Sequence, residues 1–383
     1  MAQPLYDLSP ALRLMLMAAI FALAPLAWIW VRNQQGPGSR RLHALTLLTL
    51  FLTFDLVLFG AFTRLTDSGL GCPDWPGCYG SATAIGAQAQ IEHAQAAMPT
   101  GPVTQAKAWI EMVHRYLAMG VGVLIATLAA AAWLRRKRGD PVSPWWPTAT
   151  FAWVCLQGTF GALTVTMKLF PAIVTLHLLG GMILLALLCR QAVAWDLASR
   201  NSAPARIAPS VRAYLLATFA LVWLQIALGA WVSTNYAVLA CSEFPKCQGS
   251  WWPPMDFRQG FEIWRDLGKT AAGDHINFAA LTAIHIAHRL LAYAVLAALV
   301  FGAWLLRESG ALRAQANWIA ALALWQLATG LSNVVLGWPL AAAVSHTAGA
   351  AALVVVLTWA LCACAGVGAV ARAGQLDSRG VAT

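Results

Sequence analysis

Nine long apolar runs constrain the fold of this chain more than any other feature. Each has at least about 20 residues, the length that an α-helix needs to cross the hydrocarbon core of a bilayer. The runs cover residues 11–32, 43–63, 109–133, 145–166, 171–196, 211–235, 281–305, 314–336 and 340–366. Because a helix satisfies its own backbone in lipid, and a barrel would show strict alternation, the runs predict an all-α polytopic membrane protein.

Composition and charge agree with a membrane location. Of 383 residues, 60% are hydrophobic and only 10% are charged, whereas soluble domains carry roughly a quarter charged residues. The net charge of +10 does not indicate nucleic-acid binding, because the basic residues concentrate in alternate loops. By the positive-inside rule, this distribution predicts a multi-pass membrane protein with its N-terminus outside and its C-terminus in the cytoplasm.

An internal repeat organises the chain. The segment from Gly60 to Cys78, G-A-F-T-R…C-P-D-W-P-G-C, recurs from Gly229 to Cys247 as G-A-W-V-S…C-S-E-F-P-K-C, 169 residues later. The same offset relates Gln157 to Gln326 and His177 to His346. Each unit contains an even number of runs, so both units enter the membrane from the same side. This predicts a parallel repeat about an axis along the membrane normal.

The repeat divides the chain into two four-helix units, residues 43–196 and 211–366, joined by a cytoplasmic linker at 197–210. Residues 1–42 add one transmembrane helix and a cytoplasmic loop outside the repeat, and residues 367–383 form a cytoplasmic tail. The first run is not preceded by basic residues, as the apolar stretch of a cleaved signal peptide is, so we expect it to be retained.

Four of the eight histidines recur in the repeat: His114 and His177 in the first unit, His288 and His346 in the second. Each lies roughly 7–11 Å inside the outer end of its predicted helix. Two imidazoles at one depth on two helices suit bis-imidazole ligation of a haem iron. The alternatives are hydrogen-bonded core histidines, a polar pathway, or a zinc or copper site. The matched depth in a duplicated unit favours haem.

The two units differ beside the first histidine of each. E-M-V-H-R in the first unit aligns with H-I-A-H-R in the second, which places Glu111 opposite His285. Glu111 shares a helix face with His114. It is therefore either an acid/base group beside a reactive porphyrin substituent, or a structural partner of His114 or Arg115. Arg115 and its counterpart Arg289 either pair with haem propionates or extend towards lipid headgroups.

Two cysteine pairs lie in predicted outer loops, Cys72 with Cys78 and Cys241 with Cys247. Five residues separate the members of each pair. The outer compartment is oxidising, so an intraloop disulfide in each unit is the natural inference. A metal site or a redox-active dithiol is the alternative.

Together these motifs resemble the heme A synthase family. The resemblance is carried by G-A-F-T-R-L-T-D-S-G-L, the paired loop cysteines, E-M-V-H-R and the three later histidines, and it covers about residues 43–366. It implies an eight-helix membrane enzyme of cytochrome oxidase assembly. Such an enzyme oxidises a methyl group of haem O to the formyl group of haem A, by successive hydroxylations and loss of water from a geminal diol. The additional N-terminal helix departs from the family pattern.

The resemblance also implies roles for the site residues and a set of partners. Substrate haem O would lie between His114 and His177 with Arg115 nearby, and a permanent haem b between His288 and His346 with Arg289 nearby, both towards the outer face. Glu111 would be the catalytic carboxylate, and the loop cysteines would form disulfides. We expect transient contact with haem O synthase, a protoheme farnesyltransferase, and with oxidase assembly factors. A homo-oligomer is compatible with the sequence.

Two other functions compete with this interpretation. A di-haem b electron-transfer cytochrome explains the four histidines but gives Glu111 no purpose. A transporter would use the repeat as a pathway, but the histidine pairs near one surface and the absence of interrupted runs at the midplane argue against it.

Overall fold

The computed structural model describes residues 9–33, 38–137, 142–200 and 204–364. Within these ranges every long element is an α-helix, and no β-strand occurs. The helices are α1 (Ser9–Arg32), α2 (Gly38–Leu65), α3 (Gln88–Ala97), α4 (Gln105–Arg136), α5 (Trp145–Thr166), α6 (Pro171–Arg200), α7 (Pro209–Thr234), α8 (Phe257–Gly260), α9 (Phe278–Ser309), α10 (Arg313–Val335) and α11 (Leu340–Cys364). The predicted tail at 367–383 lies outside the described residues.

Each of the nine apolar runs corresponds to one long helix. Eight of the helices in the described ranges are long and apolar enough to cross a membrane. The other long helix, α5, has 22 residues and begins W-W-P-T. It packs between α4 and α6, as its repeat counterpart α10 packs between α9 and α11. The predicted all-α polytopic membrane fold is confirmed.

The helices pack as two four-membered rings. In the first ring α2, α4, α5 and α6 each contact the next, and α6 closes back onto α2. Helices α7, α9, α10 and α11 form the second ring in the same way. The rings meet where α6 contacts α11, flanked by two equivalent contacts, α2 with α11 and α6 with α7. This is the pattern of a two-fold repeat, and it places α4 diagonally opposite α6, and α9 opposite α11.

Helix α1 lies outside both rings and packs on α4 and α2. Its buried residues, Leu14, Ala18, Ala22 and Ile29, recur at intervals of about one or two helical turns and so form one stripe. Leu14 belongs to the apolar cluster that includes the first loop's cysteines, whereas Ala22 and Ile29 belong to a cluster with α4. Helix α1 therefore packs on the outside of the first ring, against α4 and α2.

The two loops at the histidine end of the rings contain short helices. The α2–α4 loop contains α3, which the sequence analysis did not anticipate. The α7–α9 loop contains a 3₁₀ turn, Ala237–Ala240, and the four-residue helix α8, whose N-cap Asp256 accepts a hydrogen bond from the backbone N–H of Gln259. Both loops fold back over the ends of α4 and α9 and set the surroundings of the site residues.

Candidate functional site

The four recurring histidines lie on the diagonally opposed helices of the two rings. His114 lies on α4 and His177 on α6, which face each other across the first ring. In the second ring, the imidazole centroids of His288 on α9 and His346 on α11 lie 6.5 Å apart, with the ring planes at 82°. Each half of the molecule therefore brings together two imidazoles from across the interior of its ring of helices.

The separation of the second pair fits a metal between the two imidazoles. Nitrogen ligands about 2 Å from a central metal place opposed ring centroids about 6 Å apart, close to the observed 6.5 Å. In the first pair, the Nδ1 atoms of His114 and His177 are buried and have no hydrogen-bond partner. Among the described residues, no group of three or more His, Cys, Asp or Glu side chains could hold a metal ion. The two imidazoles of each half would together supply the two ligands of a haem iron.

Each of the four imidazoles lies against a glycine of a neighbouring helix. A Cβ atom built on Gly60 would lie 3.0 Å from Cε1 of His114, and one on Gly330 would lie 3.2 Å from Cε1 of His346. The same relationship joins Gly161 to His177 and Gly229 to His288. A side chain at Gly60, Gly229 or Gly330 would force the ring to shift, whereas one at Gly161 would make an ordinary contact at 3.5 Å. Glycine therefore allows three of the four imidazoles to approach the neighbouring helix closely. The recurrence of Gly60 as Gly229 was the sequence signal for this contact, but the sequence does not reveal its meaning.

Glu111 is buried, with 4% of its surface exposed. Its Oε2 accepts a hydrogen bond of 2.8 Å from the backbone N–H of Cys72. Its Oε1 accepts one of 2.5 Å from Nη2 of Arg115. The carboxylate therefore lies one helical turn from His114 and is fixed in position by the disulfide loop and by a guanidinium.

Arg115 is directed at the disulfide loop. Besides Glu111, its Nη1 donates to the carbonyl oxygen of Asp74 at 2.9 Å and to those of Pro76 and Gly77. The guanidinium thus binds three backbone carbonyls of the disulfide loop. Its pairing with a haem propionate stays a prediction.

The second half repeats this arrangement with different chemistry. Arg289 donates to the carbonyl oxygens of Glu243 and Lys246, each at 3.1 Å, and to that of Pro245. It also approaches Nε2 of His285 at 3.3 Å. Because a guanidinium only donates, His285 accepts at Nε2 and donates from Nδ1 to the carbonyl oxygen of Ala237 at 3.1 Å. Glu111 and His285 therefore both contact the adjacent arginine and a backbone group of the outer segment, but only Glu111 is a carboxylic acid.

Both loop cysteine pairs are bonded in the structure. The S–S distance is 2.09 Å in Cys72–Cys78 and 1.99 Å in Cys241–Cys247, with a Cα–Cα distance of 4.9 Å in each. All four cysteines are fully or almost fully buried. The first disulfide packs among Leu14 and residues at the start of α4. It is therefore part of the loop that covers the first histidine pair.

Two polar side chains beside the second pair were not identified from the sequence. The amide of Gln225 lies 3.0 Å from Nδ1 of His288, and the hydroxyl of Thr329 lies 2.9 Å from Nδ1 of His346. Neither residue belongs to a motif that recurs in the first half, so a search for repeated residues passes over them.

The chain is similar over most of its length to known proteins. A family model described as cytochrome oxidase assembly protein, COX15-CtaA, matches residues 43–358. A heme A synthase from Shewanella oneidensis is 37% identical over 318 residues, which is 81% of this chain and 92% of that protein. Heme A synthases from Rhizorhabdus wittichii and Halalkalibacterium halodurans are 29% and 27% identical, and cover 85% and 84% of this chain and 94% and 95% of their own lengths. The chain belongs to the COX15-CtaA family of cytochrome oxidase assembly proteins.

Proposed function

We propose that this protein is a heme A synthase, a membrane oxidoreductase that oxidises a methyl group of haem O to the formyl group of haem A. The observation that carries the proposal is the pair of imidazoles on opposed helices in each half. It occurs in a chain that is 37% identical to a protein named heme A synthase. Paired imidazoles suit the two faces of a haem iron. Haem O as substrate follows from this activity.

We assign substrate haem O to the first half, between His114 and His177, and a resident haem b to the second half, between His288 and His346. A resident haem supplies one-electron transfer when it is bound. The assignment of halves is supported by Glu111, because the corresponding position in the second half is His285. A carboxylate beside one histidine pair distinguishes a reacting site from a site that only carries electrons.

Glu111 is suited to move protons during oxidation of the methyl group. Loss of water from a geminal diol requires a base to remove one hydroxyl proton and an acid to protonate the departing hydroxyl. The carboxylate can perform both steps in turn. Its position is fixed by the N–H of Cys72 and by Arg115, which satisfies the need of an acid/base group for a defined geometry. We therefore propose Glu111 as the catalytic residue.

Arg115 and Arg289 hold the outer loops over the two sites. Their bonds to equivalent carbonyl oxygens in the two loops give them this role independently of any propionate contact. Helices that cross a membrane agree with a plasma-membrane enzyme. From the distribution of basic residues we propose that the disulfide loops and both haem sites face the outside. Transient contacts with haem O synthase and with oxidase assembly factors belong to this proposal.

A di-haem b electron-transfer cytochrome is the second candidate. It uses the same four histidines, but it does not account for a carboxylate held beside only one pair. The similarity to heme A synthases favours the enzyme over the cytochrome.

Expression in a bacterium that lacks its own heme A synthase tests the proposed activity. Membranes of the complemented strain are extracted with acidified organic solvent, and the haems are separated and identified by mass. We expect haem A to appear with this chain and to be absent with the empty vector. Accumulation of haem O without haem A, at normal levels of the protein, would contradict the proposal.

A further inference from the structure

The imidazoles of the second half have polar partners, and those of the first half do not. The difference is clearest at His346. Thr329 Oγ1 lies 2.7 Å from the carbonyl oxygen of Trp325, one helical turn earlier, and 2.9 Å from Nδ1 of His346. A hydroxyl has one hydrogen. Since Thr329 donates it to Trp325, Thr329 accepts a hydrogen bond from His346, so Nδ1 carries the proton of the neutral imidazole.

This hydrogen bond has a consequence for metal binding. With the proton on Nδ1, the lone pair of His346 is on Nε2, the other ring nitrogen. A ligating histidine commonly donates its second N–H to an acceptor, which fixes the tautomer and the ring orientation and makes the nitrogen that binds the metal more basic. Thr329 therefore prepares His346 for ligation through Nε2.

The first half lacks this acceptor. The repeat offset places Phe160 at the position of Thr329, between Gln157 and Gly161, which match Gln326 and Gly330. Nδ1 of His177 is correspondingly buried without a hydrogen-bond partner. Because the flanking residues keep their register, the exchange of Thr for Phe is a local change and not a misalignment.

The first histidines of the two halves also differ in their polar neighbours. Nε2 of Gln225 donates to the backbone oxygen of His288 at 3.1 Å and lies 3.0 Å from Nδ1 and 3.4 Å from Nε2 of its ring, so Gln225 presents a donor where Thr329 presents an acceptor. The counterpart of Gln225 in the first half is Leu56, which packs in an apolar cluster. Nδ1 of His114 is also buried without a partner. Both imidazoles of the second half therefore have a polar side chain near Nδ1, whereas Nδ1 of each imidazole in the first half has no hydrogen-bond partner.

We propose that Thr329 is a positioning residue that retains a haem in the second half, and that Phe160, at the equivalent position, keeps the first half able to exchange its haem. The inference rests on the proposed function, in which the first half must take up a substrate haem and release a product haem at each turnover. Removing the outer partner of a ligating histidine typically weakens metal binding about 10- to 100-fold. The two halves of the repeat therefore hold haem differently: the second half binds it tightly, and the first half exchanges it.

Haem transfer to excess apomyoglobin tests the tight site. Purified protein loaded with haem b is mixed with apomyoglobin, and the rate of transfer is followed by absorbance. We expect Thr329→Val to speed the loss of haem about 10- to 100-fold, and Thr329→Ser, which keeps the hydroxyl, to match the wild type. Thr127→Val is the matched control, because Thr127 also bonds one turn back, to the carbonyl oxygen of Val123, on a helix of the first half. Equal rates in wild type and Thr329→Val would overturn the role of Thr329.

The reverse substitution tests the exchangeable site. Phe160→Thr supplies a hydroxyl beside His177, and Phe160→Val removes the ring without adding one. We expect haem O or haem A to remain bound through purification in larger amounts with Phe160→Thr than with Phe160→Val. Equal amounts in the two variants would contradict the inference for the first half.

The two proposals fail in different ways. If the chain makes haem A but Thr329→Val loses haem no faster than the wild type, the positioning role is wrong and the enzyme assignment stands. If Thr329→Val loses haem faster but the wild type makes no haem A, the positioning role stands and the enzyme assignment is wrong.

Discussion

Arg64 donates a hydrogen bond of 2.6 Å from Nη2 to the carbonyl oxygen of Ser233, and the two residues occupy equivalent positions in the repeat, 169 residues apart. Tyr236 donates to the carboxylate of Asp67 at 2.5 Å across the same offset. The Arg64 guanidinium also lies 4.0 Å from the centroid of the Tyr236 ring. Contacts between equivalent positions occur only around the axis of a two-fold repeat, so these four residues join the two halves at that axis.

Replacing Arg64 by Met is expected to weaken the junction between the halves. The variant removes a hydrogen bond from a charged donor, which contributes about 1.5–3 kcal/mol when it is shielded from water, and it also removes the contact with Tyr236. We predict a lower melting temperature of the detergent-solubilised protein, with both histidine pairs still able to bind haem. Arg307→Met is the control, because Arg307 is exposed and bonds only to Asn317 among the contacts described. Equal melting of the two variants would contradict the role of Arg64.

Glu111 can be tested as an acid separately from its role in holding the loop. Glu111→Gln keeps an oxygen to accept from the N–H of Cys72 but cannot exchange a proton, whereas Glu111→Ala removes both functions. We predict that both variants abolish haem A in extracted membranes while haem b stays bound. Full activity of Glu111→Gln would show that the side chain only holds the loop. His285→Gln, the equivalent change in the second half, is predicted to retain measurable haem A production.

The assignment of the two halves predicts different losses from the two histidine pairs. His346→Ala is expected to lose haem b, because one axial ligand is gone, while His114 and His177 remain available to substrate. His177→Ala is expected to retain haem b but not haem O. Quantifying each haem by mass after extraction of the purified variants separates these results. If His346→Ala lost haem O and kept haem b, the two halves would have to be exchanged.

The loop cysteines are predicted to be protected from thiol reagents. Without reductant, a membrane-permeant maleimide should leave Cys72, Cys78, Cys241 and Cys247 unmodified, because both pairs are bonded. Cys155 is free and exposed and provides the positive control in the same sample. After reduction and unfolding, mass mapping should find all five labelled. Labelling of one loop pair before reduction would show that its disulfide is not formed.

The helices were predictable from the sequence because hydrophobic length alone specifies them in a membrane. The internal repeat also identified the four histidines and the four loop cysteines. The hydrogen-bond partners of Arg115 were not predictable from the sequence, because they depend on the path of the loop that brings the carbonyl oxygens of Asp74 and Gly77 towards α4. Thr329 was missed because it lies at a position where the two halves differ. A search for recurring residues finds only the residues that the halves share.

We propose that one chain holds two haems in different roles, a resident haem b and a substrate haem. The most direct measurement is extraction of the pigment from the purified wild-type protein, with identification of each haem by mass and absorbance. We predict haem b together with haem O or haem A. A protein that carries no haem, or that carries only haem b even after expression with haem O synthase, would contradict the claim.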